Sequence, residues 1–345
     1  MTHNQKEIKR KIPLLREDGS LVQPGFCKRN LYDYNKEYIA SHPYRLKEWD
    51  FYQVSNGRYM VQFNFFNVSW FSALTAELCD LNTGQIWSDF VIEPLTAGKH
   101  TLSDSADDPF HFVYQKKGRY GRFYVKSHCR YLHFLGKWRG KKMKINLKGI
   151  YPPDDESLTV AIPFHKKNCF FYTQKKNCIP TKGYVEIGDI RVEFSDQDTF
   201  MVMDWGRGVW PWKSQWYWSN GSSIIEGKRF GFELTWGFGD TEQVTETALF
   251  YDGYCHKIGE VYLEEDPEKN KKWMHPWHFL SRDGRLDLTL SPRYDHESGF
   301  IFLNLLGMKS HQLHGNFNGY VILDDGRRLE IKNMYAFAEK VHNRW

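Results

Sequence analysis

The stretch from Met203 to Trp218 contains the residues best suited to bind or transform a small molecule. Its sequence, MDWGRGVWPWKSQWYW, places Asp204 and Arg207 among five tryptophans within sixteen residues. These are Trp205, Trp210, Trp212, Trp216 and Trp218. Because tryptophan is large and rarely fully buried, such a density favours the lining of a cavity over the filling of a core. The segment therefore predicts a tryptophan-lined pocket.

Asp204 and Arg207 are the first candidates for catalysis. Gly206 and Gly208 bracket the arginine, a pattern typical of a bulge or tight bend that turns a side chain inward, so that Asp204 and Arg207 could meet inside. A carboxyl group in a tryptophan-walled pocket has its pKa raised by desolvation and suits a general acid, whereas a neighbouring guanidinium lowers that pKa. The alternative is a structural ion pair among core aromatics.

Four further residues are candidates because of their surroundings. Glu246 lies in VTETALF, where an acid in a short apolar strand needs a partner, and it is a third candidate catalytic residue. Trp236, in the strand that follows the tryptophan-rich segment, could face the same cavity. His165 and Lys175 are candidate ligand contacts, but their sequence surroundings favour a structural histidine and a solvated loop lysine.

The pattern of apolar residues predicts an all-β fold. In RFGFELTWGF the large apolar residues occupy every second position, as in a strand with one buried face. Asp-Gly and Asn-Gly pairs recur along the chain and favour tight hairpins, hence antiparallel sheets. We expect barrels that could hold one small ligand, with a β-sandwich as the alternative.

The length of 345 residues predicts two closely packed units, because single cores rarely grow to this size. The sequence YPPDDE, from Tyr151 to Glu156, interrupts the strand pattern and is the expected boundary. The prediction is an N-terminal β-domain over residues 1–150 and a C-terminal β-domain over residues 151–345 that carries the tryptophan-rich segment.

Composition narrows the classes of partner. The formal net charge of +5 is too small in a chain of this length to indicate nucleic acid. The densest basic stretch, from Lys137 to Lys144, is interpreted as the solvated end of a strand. The six cysteines lack the short spacing of a zinc site, and we expect neither a metal nor a cofactor.

The same features bear on the compartment. Scattered cysteines without a CxxC motif fit free thiols in a reducing environment. The first residues, MTHNQKEIKRKIPLL, contain no apolar run of the kind found in secretory signals, and no window approaches 18 consecutive apolar residues. We expect a cytoplasmic protein without a transmembrane segment.

Several strings together resemble one known family. DWGRGVWPW, with FFYTQKKN upstream, TETALFYDG downstream, RLKEWDFY near the N-terminus and FAEKVHNRW at the end, resembles the domain of unknown function 2804 family. That family is similar, more distantly, to the lipocalin-like group of carotenoid 1,2-hydratase and tocopherol-cyclase-like proteins. The resemblance implies two lipocalin-like β-domains and, for the hydratases, protonation of an isolated double bond followed by addition of water. Asp204 is the aspartate that matches the need for an acid, but the relatives' histidine and tyrosine partners have no match by motif.

Three functions are compatible with the sequence. The first is a metal-free hydratase, cyclase or isomerase that acts on an apolar or amphipathic molecule, with Asp204 as the proton donor and tryptophans stabilising a cation. The second is a non-catalytic carrier of a lipid-like ligand. The third is a glycoside hydrolase that uses Asp204 and Glu246 as its carboxylate pair. The sequence does not indicate an oligomeric state.

Overall fold

A computed structural model describes residues 5–269, 271–302 and 305–345. Strands β1 to β12 are Ile12–Pro13, Gly25–Cys27, Tyr32–Asp33, Leu46–Ser55, Tyr59–Asn67, Phe71–Asp80, Gln85–Pro94, Phe110–Lys116, Arg119–Lys126, Cys129–Trp138, Lys141–Ile150 and Leu158–Pro163. Strands β13 to β24 are Phe170–Ile187, Ile190–Phe194, Phe200–Val209, Lys213–Ile225, Lys228–Trp236, Glu246–Tyr251, Tyr254–Lys257, Val261–Leu263, Trp277–Ser281, Leu286–Phe302, Leu306–Ile322 and Arg328–Arg344. The helical elements within these ranges are two single 3-10 turns, Lys36–Tyr38 and Pro43–Arg45. The all-β prediction is confirmed.

The first of two large sheets curls into a barrel-like unit. Its strands follow the order β7-β6-β5-β4-β15-β13-β11-β10-β9-β8, and β2, β12 and β14 branch from it through β13. The two end strands approach each other, because Glu93 of β7 lies 2.7 Å from Lys116 of β8 and accepts a 3.3 Å hydrogen bond from Tyr114 of the same strand. Apolar side chains from nearly every strand fill the interior.

The second sheet has nine strands in the order β19-β18-β17-β16-β24-β23-β22-β21-β20. It also curls around its own core, so that Tyr217 of β16 packs edge-on against Trp277 of β21, with 6.2 Å between ring centroids. Both large sheets are antiparallel, and the parallel pairings within the described residues are the small β1–β3 pair and the isolated bridge between Glu7 and Phe26. Of the residues described, none forms a helix with the length and apolar character that a bilayer crossing requires.

Strand β17 helps to join the two units because both of its faces are buried. Phe230, Phe232 and Leu234 point into the second core, as the alternation predicts. The other face carries Glu233 and Thr235, which are also buried because this face packs against the first barrel. A third apolar cluster fills the space between the barrels with side chains from both sheets. The protein therefore buries polar as well as apolar side chains between its two sheets.

The predicted domain boundary does not coincide with the break between the sheets. Strands β12 to β15, which follow Tyr151–Glu156, pair with the first sheet and not with the second. The first sheet ends with Val209 and the second begins with Lys213. The prolines and acids at 151–156 interrupt the pattern because the chain turns there between strands of one barrel. We propose a division near residues 210–212 instead.

Candidate functional site

The candidate site is an ion cluster between the two barrels. Asp204 of β15 and Lys175 of β13 are direct cross-strand partners in the first sheet, so their side chains share one face. Glu246 opens β18 of the second sheet. The ammonium of Lys175 lies 2.8 Å from an oxygen of Asp204 and 2.8 Å from an oxygen of Glu246, and so bridges the two sheets.

Two tryptophans bring further carboxyl groups to this cluster. Trp218 lies under the Lys175 ammonium, with 4.7 Å from Nζ to the ring centroid, and its indole N–H donates a 2.7 Å hydrogen bond to Glu233. Trp216, two residues earlier on the same face, donates a 3.3 Å hydrogen bond to Glu339. The cluster thus contains one ammonium and four carboxyl groups, and each carboxyl comes from a different strand.

Burial sets the protonation of this cluster. Desolvation opposes the charge of Lys175, but Asp204 and Glu246 outweigh it and raise the pKa of the lysine, so the ammonium persists. Burial raises the pKa of Glu233 to about 8 and that of Glu339 to about 7, although Lys175 opposes both shifts. The pKa of Glu246 is also raised by burial, against the opposing effect of Lys175. At neutral pH the cluster therefore retains protons.

The polar atoms of the cluster are incompletely paired. Among the described residues, Asn220 Nδ2 finds no hydrogen-bond partner although it is buried. Glu246 Oε1 lies 2.8 Å from the Lys175 ammonium. Buried polar atoms are normally paired with protein or water. This unused hydrogen-bonding capacity suits the binding of water or of a polar group of a ligand.

Access to the cluster is from the side of Asp204, whose side chain keeps 11% of its surface exposed. Trp49 and Phe51 of β4 are cross-strand partners of Gly206 and Asp204 and share their face, and both remain half-buried. Trp216, from the second barrel, is also half-buried. These rings border Asp204, where solvent reaches the cluster.

Lys175 occupies the centre of the carboxyl groups, where a metal ion would need to lie. Within the ranges that the structure describes, no group of three or more His, Cys, Asp and Glu side chains is arranged to hold a metal.

The expected meeting of Asp204 and Arg207 does not occur. Residues three apart in a strand point to opposite faces, and Arg207 points into the first barrel. Its guanidinium lies 3.2 Å from Asp50 and 3.7 Å from Glu48, and it donates hydrogen bonds to the backbone oxygens of Ser103, Trp49 and Gly206. Arg207 therefore belongs to a separate ion cluster in the core.

The expected bulge at Gly206 and Gly208 is also absent. Strand β15 pairs in unbroken register with β4 and β13 across this stretch. A Cβ at Gly206 would overlap the indole of Trp49, and one at Gly208 would press on the carbonyl oxygen of Phe170. The glycines are needed because neighbouring groups cross the strand at close range. They do not aim Arg207.

The six candidate tryptophans lie in different surroundings and do not line one pocket. Trp216 and Trp218 touch the carboxyl cluster. Trp205 lies in the first core, where its indole donates a 3.2 Å hydrogen bond to Ser103, and Trp210 packs in the apolar cluster between the barrels. Trp236 stacks on Tyr217 inside the second barrel at 4.8 Å, and Trp212 is 36% exposed. Tryptophan density alone did not indicate a shared cavity, because successive residues of a strand point to opposite faces and these tryptophans belong to different strands and to the segments between them.

For the two remaining candidates, Lys175 and His165, the observed burial is the reverse of what we expected. Lys175, expected in a solvated loop, lies in the middle of β13 and is buried at the cluster. His165, expected to be a satisfied structural histidine, is 88% exposed in a turn, 3.7 Å from Asp240. The expectation that Glu246 needs a partner agrees with its contact to Lys175. The catalytic and ligand-binding roles of all these residues stay predictions.

Sequence reasoning missed Glu233, Trp49 and Phe51, and it interpreted Glu339 only as an anchor of the last strand. A usable signal existed for Glu233, because in FGFELTW a carboxyl interrupts a strand whose neighbours on the same face are glycine and threonine. A charge on the supposedly outer face of such an apolar strand can indicate a second buried interface. No comparable signal marked Glu339 as part of the same cluster, since it reaches the cluster through a strand over ninety positions later than Glu246.

Comparisons with curated proteins and with solved structures do not assign a function to this chain. No curated protein matches the chain. The structure of kievitone hydratase from Nectria haematococca is similar with a TM-score of 0.48 and 10% identity, over 87% of this chain and 89% of that one. A protein from Nitrosomonas europaea assigned as an AttH is similar with a TM-score of 0.44 and 11% identity, over 90% of this chain and 96% of that one. Both TM-scores are below 0.5, so neither likeness bears on function.

The sequence match, in contrast, covers almost the whole chain. The profile described as a domain of unknown function, DUF2804, matches residues 5–345. It includes every strand of both sheets and every residue of the ion cluster between them. The chain belongs to the DUF2804 family.

Proposed function

We propose that the protein is an acid–base enzyme of the hydratase, cyclase or isomerase type, acting on an apolar or amphipathic small molecule between its two barrels. The observation that supports this most is the buried cluster of four carboxyl groups around the single ammonium of Lys175. Such a cluster stores protons at neutral pH in water-poor surroundings, where a positioned acid is most effective.

Asp204 is the carboxyl group that would touch the substrate, because it alone combines exposure with contact to Lys175. In the proposed reaction Asp204 receives a proton from Glu233 and passes it to a carbon–carbon double bond, and the resulting cation lies between the Asp204 carboxylate and the nearby aromatic rings. Water then adds to the cation, or a neighbouring carbon loses a proton, and the released proton returns to the carboxyl cluster. The Glu233 carboxyl, whose pKa burial raises to about 8, holds the proton that replenishes Asp204.

A glycoside hydrolase finds less support. Two oxygens, one from Asp204 and one from Glu246, lie close enough for such a pair, since Lys175 is 2.8 Å from each. However, the ammonium fills the space between them that a glycosidic bond would need. We therefore do not extend the carboxylate-pair interpretation to hydrolysis of glycosides.

The proposal can be tested without knowing the product. The protein is incubated in D₂O with prenyl alcohols and unsaturated fatty acids, and mass spectrometry detects deuterium on carbon or the addition of water. Wild type is expected to label at least one probe, Asp204→Asn to lose the labelling, and Asp189→Asn, a change at an exposed turn residue, to retain it. Saturable binding of a probe without labelling, unaffected by Asp204→Asn, would instead support a carrier.

A further inference from the structure

A second group of charged side chains lies at one end of the second barrel's interior. Lys340 of β24 pairs with Tyr217 of β16 on one side and with His311 of β23 on the other. Tyr217 belongs to the second core, and direct cross-strand partners share a face. Lys340 and His311 therefore point into the barrel, away from the carboxyl cluster on the opposite face of the same strands.

The ammonium of Lys340 is buried but poorly paired. Only 3% of its side chain is exposed, and it lies 4.0 Å from the centroid of the Tyr217 ring. The carboxylate of Glu268 is 3.7 Å away, which is within ion-pair range but beyond hydrogen-bond distance. A buried ammonium that makes no short contact with an anion has lost hydration without full compensation. This side chain can therefore gain from a closer anion.

The anion now nearest to it comes from the segment between β20 and β21. Glu268 accepts a 2.7 Å hydrogen bond from the His342 imidazole, and its own side chain is 40% exposed. Two residues earlier, Asp266 accepts a 2.6 Å hydrogen bond from the Tyr217 hydroxyl. The barrel end thus presents an ammonium, an imidazole and a phenol to carboxylates that approach from outside.

Aromatic rings surround these polar groups. Trp236 stacks on Tyr217 with 4.8 Å between ring centroids, and Trp273 stacks on His311 at 4.1 Å. Trp277 lies beside Trp273 at 6.1 Å. A ligand whose anion reached Lys340 would place the adjoining part of its structure among these rings, which favours an apolar group.

We propose that Lys340, His342 and Tyr217 form a binding site for a carboxylate borne on an apolar group, and that Glu268 fills its anion position in this structure. The ligand's carboxylate would displace Glu268, whose contact with Lys340 is long and partly solvated. The site is separate from the carboxyl cluster between the barrels. It therefore does not depend on the proposed acid–base reaction.

The test is calorimetric titration of the full chain with decanoate and, as an uncharged counterpart, with decanol. Replacement of the internal competitor, Glu268→Gln, is expected to tighten decanoate binding by about tenfold. Adding Lys340→Met to that variant is expected to abolish the gain. Glu330→Gln, which makes the same charge change at an exposed ion pair with Arg328, should bind decanoate as the wild type does.

Several results would overturn the proposal. They are an absence of decanoate binding to Glu268→Gln, equal binding of decanol, or undiminished binding after Lys340→Met. If Lys340→Met does not fold, His342→Gln in the Glu268→Gln background must weaken binding in its place. Asp204→Asn must bind decanoate as the wild type does, because a loss there would put the ligand in the carboxyl cluster between the barrels.

Discussion

Two buried ion clusters lie on opposite faces of strand β15, and they differ in the ratio of cationic side chains to carboxyl groups. Arg207 points into the first barrel, and all three of its side-chain nitrogens donate hydrogen bonds. Its acidic neighbours are also paired, since Glu48 lies 3.0 Å from Lys36. Asp204, three residues earlier, belongs to a cluster in which one ammonium serves four carboxyl groups.

We interpret the Arg207 cluster as one that stabilises the fold, and the cluster around Lys175 as one that holds protons for a reaction. Arg207 pairs with Asp50 and Lys36 pairs with Glu48, which reduces the cost of burying these charges, and removal of one member would leave others unpaired. The excess of carboxyl groups around Lys175 has no such compensation, and burial raises the pKa of Glu233 to about 8 and that of Glu339 to about 7. Sites built for reaction commonly carry such a cost in stability.

The largest effect is expected from Arg207→Met. The change would leave Asp50 buried without its main partner, and we expect the free energy of unfolding to fall by about 3–5 kcal/mol. Urea titration followed by far-ultraviolet circular dichroism measures this loss. The double variant Arg207→Met with Asp50→Asn should recover part of it. A loss below about 1 kcal/mol would show that the ion pair of Arg207 does not stabilise the fold.

Lys175→Met tests the second cluster by removing its only ammonium. We expect a loss of about 3 kcal/mol at pH 8 and a much smaller loss at pH 5. Without Lys175 the pKa of Glu246, already raised by burial, would rise further. A carboxyl whose pKa is raised on folding contributes stability below its unfolded pKa and loses that contribution as the pH rises through the folded value. The penalty is therefore greatest at high pH.

Urea titrations at pH 5 and pH 8 separate the two effects for this variant. Lys182→Met is the matched control, because Lys182 lies on the same strand β13 but is exposed beside Asp196. It should change stability little at either pH. Equal losses at both pH values for Lys175→Met would contradict a cluster of titrating carboxyl groups.

Glu233→Gln is expected to have a moderate, pH-dependent effect. The pKa of Glu233 is raised from 4.5 to about 8 by burial, so the folded protein binds more protons than the unfolded chain between these values. Wild-type stability should fall over this range, by up to about 1.4 kcal/mol per pH unit for this group. Glu233→Gln should reduce the slope and be the more stable form above pH 8.

The slope is measured from unfolding free energies between pH 5 and pH 9. Some slope should remain in Glu233→Gln because burial also raises the pKa of Glu339, to about 7. Glu242→Gln, a change at an exposed carboxyl in a loop, should leave the wild-type slope intact. An unaltered slope in Glu233→Gln would show that Glu233 is not the group that holds the proton.

Most of the fold could be predicted from sequence, because the period of two depends only on which face of each strand is buried. The alternation in β17 correctly separates Phe230, Phe232 and Leu234 from the residues of the other face. It could not show that the other face is buried as well, against a second barrel. For the same reason the boundary was placed at an interruption in pattern, whereas the sheets divide after Val209.

The candidate site was predictable only in part. Asp204 and Glu246 were found from their apolar surroundings, but the lysine that joins them was assigned to a loop. Lys175 contacts Asp204 because the two are cross-strand partners, and it contacts Glu246 because the two sheets pack together. Neither contact can be predicted from the local sequence. The separation of Asp204 from Arg207 could have been foreseen, because three residues along a regular strand reverse the face. The flanking glycines suggested a bulge instead.

The smallest effect on stability is expected from Asp204→Asn, the variant that compares the Lys175 cluster most directly with the Arg207 cluster. Lys175 would keep Glu246 as its partner, and the asparagine could still accept the hydrogen bond that Thr173 donates to Asp204. We expect a loss of about 1 kcal/mol or less in urea titration, against several for Arg207→Met on the same strand. A loss as large as that of Arg207→Met would make Asp204 a structural partner of Lys175 and favour a carrier. A small loss combined with the absence of deuterium labelling would identify it as the residue that transfers the proton.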